Sequence, residues 1–136
     1  MIDFSSQNDF SLEDNPKKSL WLSSIINAEK KIVGDIGYVF CSDDFLHIIN
    51  VEFLNHDTLT DVISFDYTEG TIINGEIYIS TERVLENAQT LNVSFSDELD
   101  RVMAHGILHF CGHGDKSDDD KTRMRALENH YLALRQ

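Results

Sequence analysis

The chain has 136 residues, 41% hydrophobic and 26% charged, with Asp+Glu 24 against Lys+Arg 11 and a formal charge of −13. That length is one domain spanning residues 1–136, and the apolar share excludes a disordered chain, since folding at this size buries about 70% of the extended chain's surface. The acidic balance opposes any polyanion not met by a local gathering of basic side chains, and two cysteines are too few to staple a secreted scaffold, so reduced thiols in a cytoplasmic protein are expected.

Residues 1–10 have no basic start followed by an apolar run, and no segment approaches the ~20 apolar residues of a membrane span, so neither signal peptide nor membrane anchor is expected. Ile2 and Phe4 alternate with polar neighbours and allow a short strand. Asn15 followed by Pro16 opens a helix carrying Leu20, Trp21, Ile25 and Ala28, with Gly34 as its stop. Residues 36–41 read as a strand, and Ser42 with Asp43 and Asp44 opens a helix through Phe45, Ile48, Ile49, Phe53 and Leu54. A polar stretch at 55–60 precedes two strands, at 61–67 and 77–79, with Gly70 and the Asn74-Gly75 pair between them. Ser80 caps a helix through Val84, Leu85, Ala88 and Leu91. A further helix begins near Ser96 and carries Leu99, Val102, Met103 and Leu108. Ser117 with Asp120 opens a last one through Met124, Leu127 and Leu134. The expected architecture is α+β, a small mixed sheet of about four strands packed with about five helices.

The chemistry concentrates in one place. Of six histidines, three fall in His105-Gly106-Ile107-Leu108-His109-Phe110-Cys111-Gly112-His113. On a helix, positions i and i+4 share a face, so His105 and His109 can offer two imidazole nitrogens to one cation. Gly112 ends the helix and lets a third ligand come from the following loop. His113 and Asp115 are the two candidates. The spacing His-x3-His-x2-Gly-x2-Asp matches that of zinc proteases, but their general base, a Glu after the first histidine, is replaced by Gly106, which can take no proton. Three ligands leave a coordination position for water, which zinc can bring to a pKa of ~7, so hydrolysis is the expected chemistry.

The run His105-Gly-Ile-Leu-His109-Phe-Cys-Gly112 resembles the His-Gly-x-Leu-His-Leu-x-Gly motif of the YbeY family, bacterial metal-dependent endoribonucleases of rRNA maturation and ribosome quality control. Thr60-Asp61-Val62-Ile63-Ser64-Phe65 resembles that family's Thr-Asp-Val-Leu-Ser-Phe strand, and Gly75-Glu76-Ile77 its Gly-Asp-Ile strand. The resemblance covers nearly the whole chain. It implies an α+β fold, one Zn2+ ion, and single-stranded RNA as substrate, in particular the 3′ end of 16S rRNA, with the ribosome or its proteins as partners. It departs at two positions. Asp115 stands where the family has its third histidine ligand, so the implied metal set is His105, His109 and Asp115, with His113 the rival. Leu54 stands where the family has an arginine suited to phosphate, leaving His56 and Arg83 to replace it.

In the mechanism so implied, the metal polarises the scissile phosphate or delivers a bound hydroxide, and no separate general base stands out. The alternatives are another metal-dependent hydrolase, or a non-catalytic ribosome-associated module with a structural metal. Cys111 reads as a small core residue, Asp118, Asp119 and Asp120 as a solvated capping face, and His47 and His130 as bystanders. Ser64 has no recognisable His/Asp partner, so a serine nucleophile is not expected. With basic residues this sparse, weak intrinsic RNA affinity and a small basic cleft beside the metal are expected.

Overall fold

A computed structural model describes residues 1–54 and 60–135. His56 and most of the polar stretch at 55–60 lie outside them. In chain order the elements are β1 (Ile2–Ser6), α1 (Asn15–Ala28), β2 (Ile32–Cys41), α2 (Asp43–Leu54), β3 (Val62–Asp66), β4 (Ile72–Ser80), α3 (Thr81–Leu91), α4 (Phe95–Phe110) and α5 (Asp118–Leu132). The four strands form one mixed sheet in the order β1-β2-β4-β3. β1 and β4 flank β2 in parallel, and β3 is the antiparallel edge strand on β4, pairing Ile63 with Tyr78. The architecture is the α+β one expected.

Strand alternation sends Tyr38, Phe40, Ile77 and Ile79 to one face, where they meet Leu22, Ile25 and Ile26 of α1 and Met103 and Ile107 of α4. The opposite face carries a smaller cluster, with Ile63 and Cys41 against Leu46 and Ile49 of α2. Two glycines set how closely α4 approaches the sheet. A Cβ on Gly106 would lie 2.7 Å from Cδ1 of Ile77, and one on Gly75 would lie 2.5 Å from Cζ of Phe110 and 2.6 Å from the carbonyl oxygen of Phe65. The buried Tyr38 hydroxyl donates to the carbonyl of Met103 at 2.7 Å, tying the middle of α4 to β2. The helix that carries the histidines is therefore held along its length.

Several local expectations shift. Asn15 lies inside α1 rather than capping it: the cap position is Asp14, left-handed and without a side-chain bond, while Pro16 sits in the first turn as expected. α1 stops at Ala28, and the turn is made by Lys30 at φ 62. Gly34 belongs instead to an irregularity in β2 between Val33 and Ile36. Asn74 and Gly75 are in β4, because the chain reverses earlier, at the Glu69 to Ile72 bridge with Gly70 at φ 60. α4 is capped by Ser94, whose hydroxyl accepts from the Asp97 amide, and not at Ser96. Leu20, Leu85, Leu91 and Phe53 are exposed although each fits its helix's apolar spacing. Among the described residues no helix is long and apolar enough to cross a membrane.

Candidate functional site

α4 ends at Phe110, with Cys111 as its cap, and Gly112 at φ 105 turns the chain back, a conformation that glycine adopts without a Cβ penalty. The returning loop brings Asp115 to His105, with 3.2 Å between Asp115 Oδ2 and His105 Nε2. The other ring nitrogen of His105 is engaged from behind. Nδ1 lies 2.8 Å from Oε2 of Glu128, a residue of α5 that is only 4% exposed. Oε1 of Glu128 accepts from Arg101 at 3.1 Å, and Arg125 stands 3.8 Å from the same oxygen. His105 is thus fixed between two carboxylates. The hydrogen bond to Glu128 raises the imidazole above its ordinary 6.5 against the effect of burial, and the charges of Glu128, Asp115 and Asp61 add to it.

His109 follows one turn along α4 and is exposed. His113 takes a different direction: its Nε2 lies 2.5 Å from Oε1 of Glu29, whose other oxygen accepts from the Tyr131 hydroxyl. The turn at Gly112 therefore points His113 toward the end of α1 while Asp115 faces His105. Cys111 is half-buried, and burial pushes its thiol up to about 11, which suits a packing residue. Among the described residues, no three His, Cys, Asp or Glu side chains stand close enough together, as placed, to hold a metal ion. Of the three candidates, His105 and Asp115 converge.

His105, Asp115 and Glu128 line a cleft of about 400 Å³ between α4, α5 and the start of β3, together with Asp61, Glu98, Arg101 and Arg125 among others. A smaller recess continues it past Lys121. The cleft is not the basic one expected. Arg101 and Arg125 are balanced by Glu98 and Glu128, and Asp61 and Asp115 add two further acids. Arg83 is not part of it: its guanidinium lies 2.8 Å from Asp43 and 3.2 Å from Glu86. Arg101 and Arg125 are the arginines that line it.

Gly106 also bears on the protease alternative. Its position faces Ile77 of the sheet and not the cleft, so the fold gives a general base no room at the place where the protease motif requires one.

The sequence pattern did not single out Glu128, Arg101 or Glu98. Glu98, Arg101 and His105 fall at i, i+3 and i+7 on α4, a spacing that puts them on one face. Glu128 gives no comparable signal, because its contact to His105 crosses from one helix to another.

Comparison with known proteins places the whole chain in one family. The profile of the family described as Endoribonuclease YbeY matches residues 4–135. An Endoribonuclease YbeY of Flavobacterium johnsoniae is 54% identical over 134 residues, covering 98% of this chain and 96% of the relative. One of Christiangramia forsetii is 50% identical over 133 residues, covering 98% and 93%. The solution structure of a Thermotoga maritima protein superposes with a TM-score of 0.69 at 28% identity, covering 97% of this chain and 87% of that one. On the extent of these matches, the chain belongs to the endoribonuclease YbeY family.

Proposed function

We propose that the chain is a zinc-dependent endoribonuclease that cuts single-stranded RNA in 16S rRNA 3′-end maturation and ribosome quality control, in the cytoplasm and in contact with the ribosome. Family membership supplies the RNA-cleaving activity. The metal reading is carried by one observation, the Glu128-His105-Asp115 line. A metal-bound histidine characteristically gives its second nitrogen to a carboxylate that fixes ring and tautomer, and Glu128 takes Nδ1 of His105, leaving Nε2 toward Asp115.

The residues that would hold one zinc ion are His105, His109 and Asp115, a nitrogen and oxygen donor set that zinc accepts. A bound zinc would supply Lewis acidity toward the scissile phosphate and a lowered pKa for its water. The chain's own side chains do the rest. Glu128 orients His105 and is itself held by Arg101. Arg125 and Lys121 border the recess beyond and would meet the phosphate backbone in place of the arginine absent at Leu54. Their positive charge is largely offset by neighbouring acids, so intrinsic RNA affinity is weak and a basic ribosomal surface contributes to docking.

The test is cleavage of single-stranded and duplex RNA by protein stripped of metal and then reloaded with zinc. Activity on single strands that disappears with the metal and returns with zinc supports the reading. Undiminished cleavage by the stripped protein overturns it.

A further inference from the structure

The cleft has a different chemistry away from His105. Glu98 precedes His105 by two turns of α4, a rise of about 10 Å, which is the scale of the step from a phosphate to the edge of an adjoining base. It is 5% exposed, and its Oε1 is buried without a hydrogen-bond partner among the described residues. The nearest positive charge, Nε of Arg101, stands 3.8 Å away, beyond hydrogen-bonding distance. Asp61, Val62 and Val102 line the same cleft. A buried carboxylate oxygen without a donor is costly, and native proteins seldom keep one unless something else completes it.

We infer that Asp61, Glu98, Val62 and Val102 form a nucleobase-reading pocket, in which the Glu98 carboxylate accepts the paired N–H groups of guanine. The inference rests on the reading of the cleft as an RNA-cleaving site and adds a preference to it.

The base chemistry follows from donors and acceptors. A carboxylate offers only acceptors, so it selects adjacent donors. Guanine presents a ring N–H beside an amino group and can satisfy both oxygens. Adenine and cytosine present an amino group next to a ring acceptor. Uracil presents a single N–H between two carbonyls, which repel the carboxylate. Val62 and Val102 offer the ring apolar surface, and Asp61, whose Oδ2 accepts from Asn87 at 3.4 Å, lines the same cleft. A phosphate is excluded by the same two acids. Burial raises the Glu98 pKa, and Asp61 and Glu128 raise it further against the pull of Arg101 and Arg125.

The experiment compares zinc-loaded wild type with Glu98→Gln and Asp61→Asn on oligouridylates carrying a single guanosine, adenosine or cytidine. It also measures binding of guanosine and uridine 5′-monophosphates by NMR titration. Wild type is expected to favour cleavage next to guanosine over uridine by about tenfold in kcat/KM, and to bind the guanosine nucleotide more tightly by a similar factor. Glu98→Gln is expected to bring both ratios close to one while melting no lower than wild type, since it removes a buried charge. Equal treatment of the two bases by wild type, or ratios unchanged in Glu98→Gln, would overturn the inference. The wild-type comparison decides the matter even if a variant fails to fold. A protein that cleaves without base preference defeats only this inference, whereas one that binds guanosine nucleotide and cleaves no RNA defeats the proposed function and leaves the pocket standing.

Discussion

Glu128 on α5 and His105 on α4 are joined by a 2.8 Å hydrogen bond from the imidazole Nδ1, and the same carboxylate accepts from Arg101. The contact fixes which nitrogen of His105 faces Asp115. Glu128→Gln keeps the shape but removes the charge, so zinc affinity is expected to fall by about 10- to 100-fold. Competition against a chromogenic chelator measures this. Unchanged affinity would mean that Glu128 serves packing alone.

Asp115 and His113 lie in the same loop but face different partners, His105 and Glu29. Asp115→Ala is expected to lower zinc content and RNA cleavage severely with little change in melting temperature. His113→Ala is expected to do the opposite, costing about 1 kcal/mol of stability through loss of its bond to Glu29. Zinc analysis and thermal melts on both variants check the pair, and the reverse order would make His113 the ligand.

Glu29 gives the fold a dependence on pH. Burial raises its pKa, but hydrogen bonds to Tyr131 and His113 and the charge of His113 outweigh this and leave it below the ordinary 4.5. A depressed carboxyl contributes stability that is present above its unfolded value and lost as pH falls through the folded one. Glu29→Gln is therefore expected to destabilise the protein at neutral pH, with the difference from wild type shrinking below about pH 4.5. Denaturant melts across the acid range report it; a difference that grows toward acid would contradict the assignment.

Gly75 is where the sheet makes room for α4. An alanine there would press on the Phe110 ring and on the backbone oxygen of Phe65, which cannot swing aside. Gly75→Ala is expected to cost about 1–3 kcal/mol by overpacking, measured by urea unfolding. A neutral effect would show that α4 can shift away from β4.

The helices were legible where capping and periodicity agreed: Ser80 and Ser117 cap the helices they were expected to cap. The turn before β4 was misplaced because Asn74-Gly75 has turn composition yet is drawn into the strand, where Asn74 caps the β2 irregularity with a 2.8 Å bond to the Asp35 amide and Gly75 admits Phe110. The helical spacing of His105 and His109 and the glycine bend were readable from local rules. The role of Glu128 was not, because it depends on how α5 packs against α4. The cleft's mixed charge was hidden for the same reason: the sequence shows how many arginines exist but not that Glu128 and Glu98 sit beside two of them.

His109 is the most exposed of the three proposed zinc ligands, His105, His109 and Asp115. The most direct measurement is zinc content together with single-stranded RNA cleavage in wild type and His109→Ala. Close to one zinc per chain in wild type, with loss of both metal and cleavage in a variant that melts like wild type, is the predicted result. A His109→Ala protein that retains its zinc and cuts RNA at the wild-type rate would contradict it.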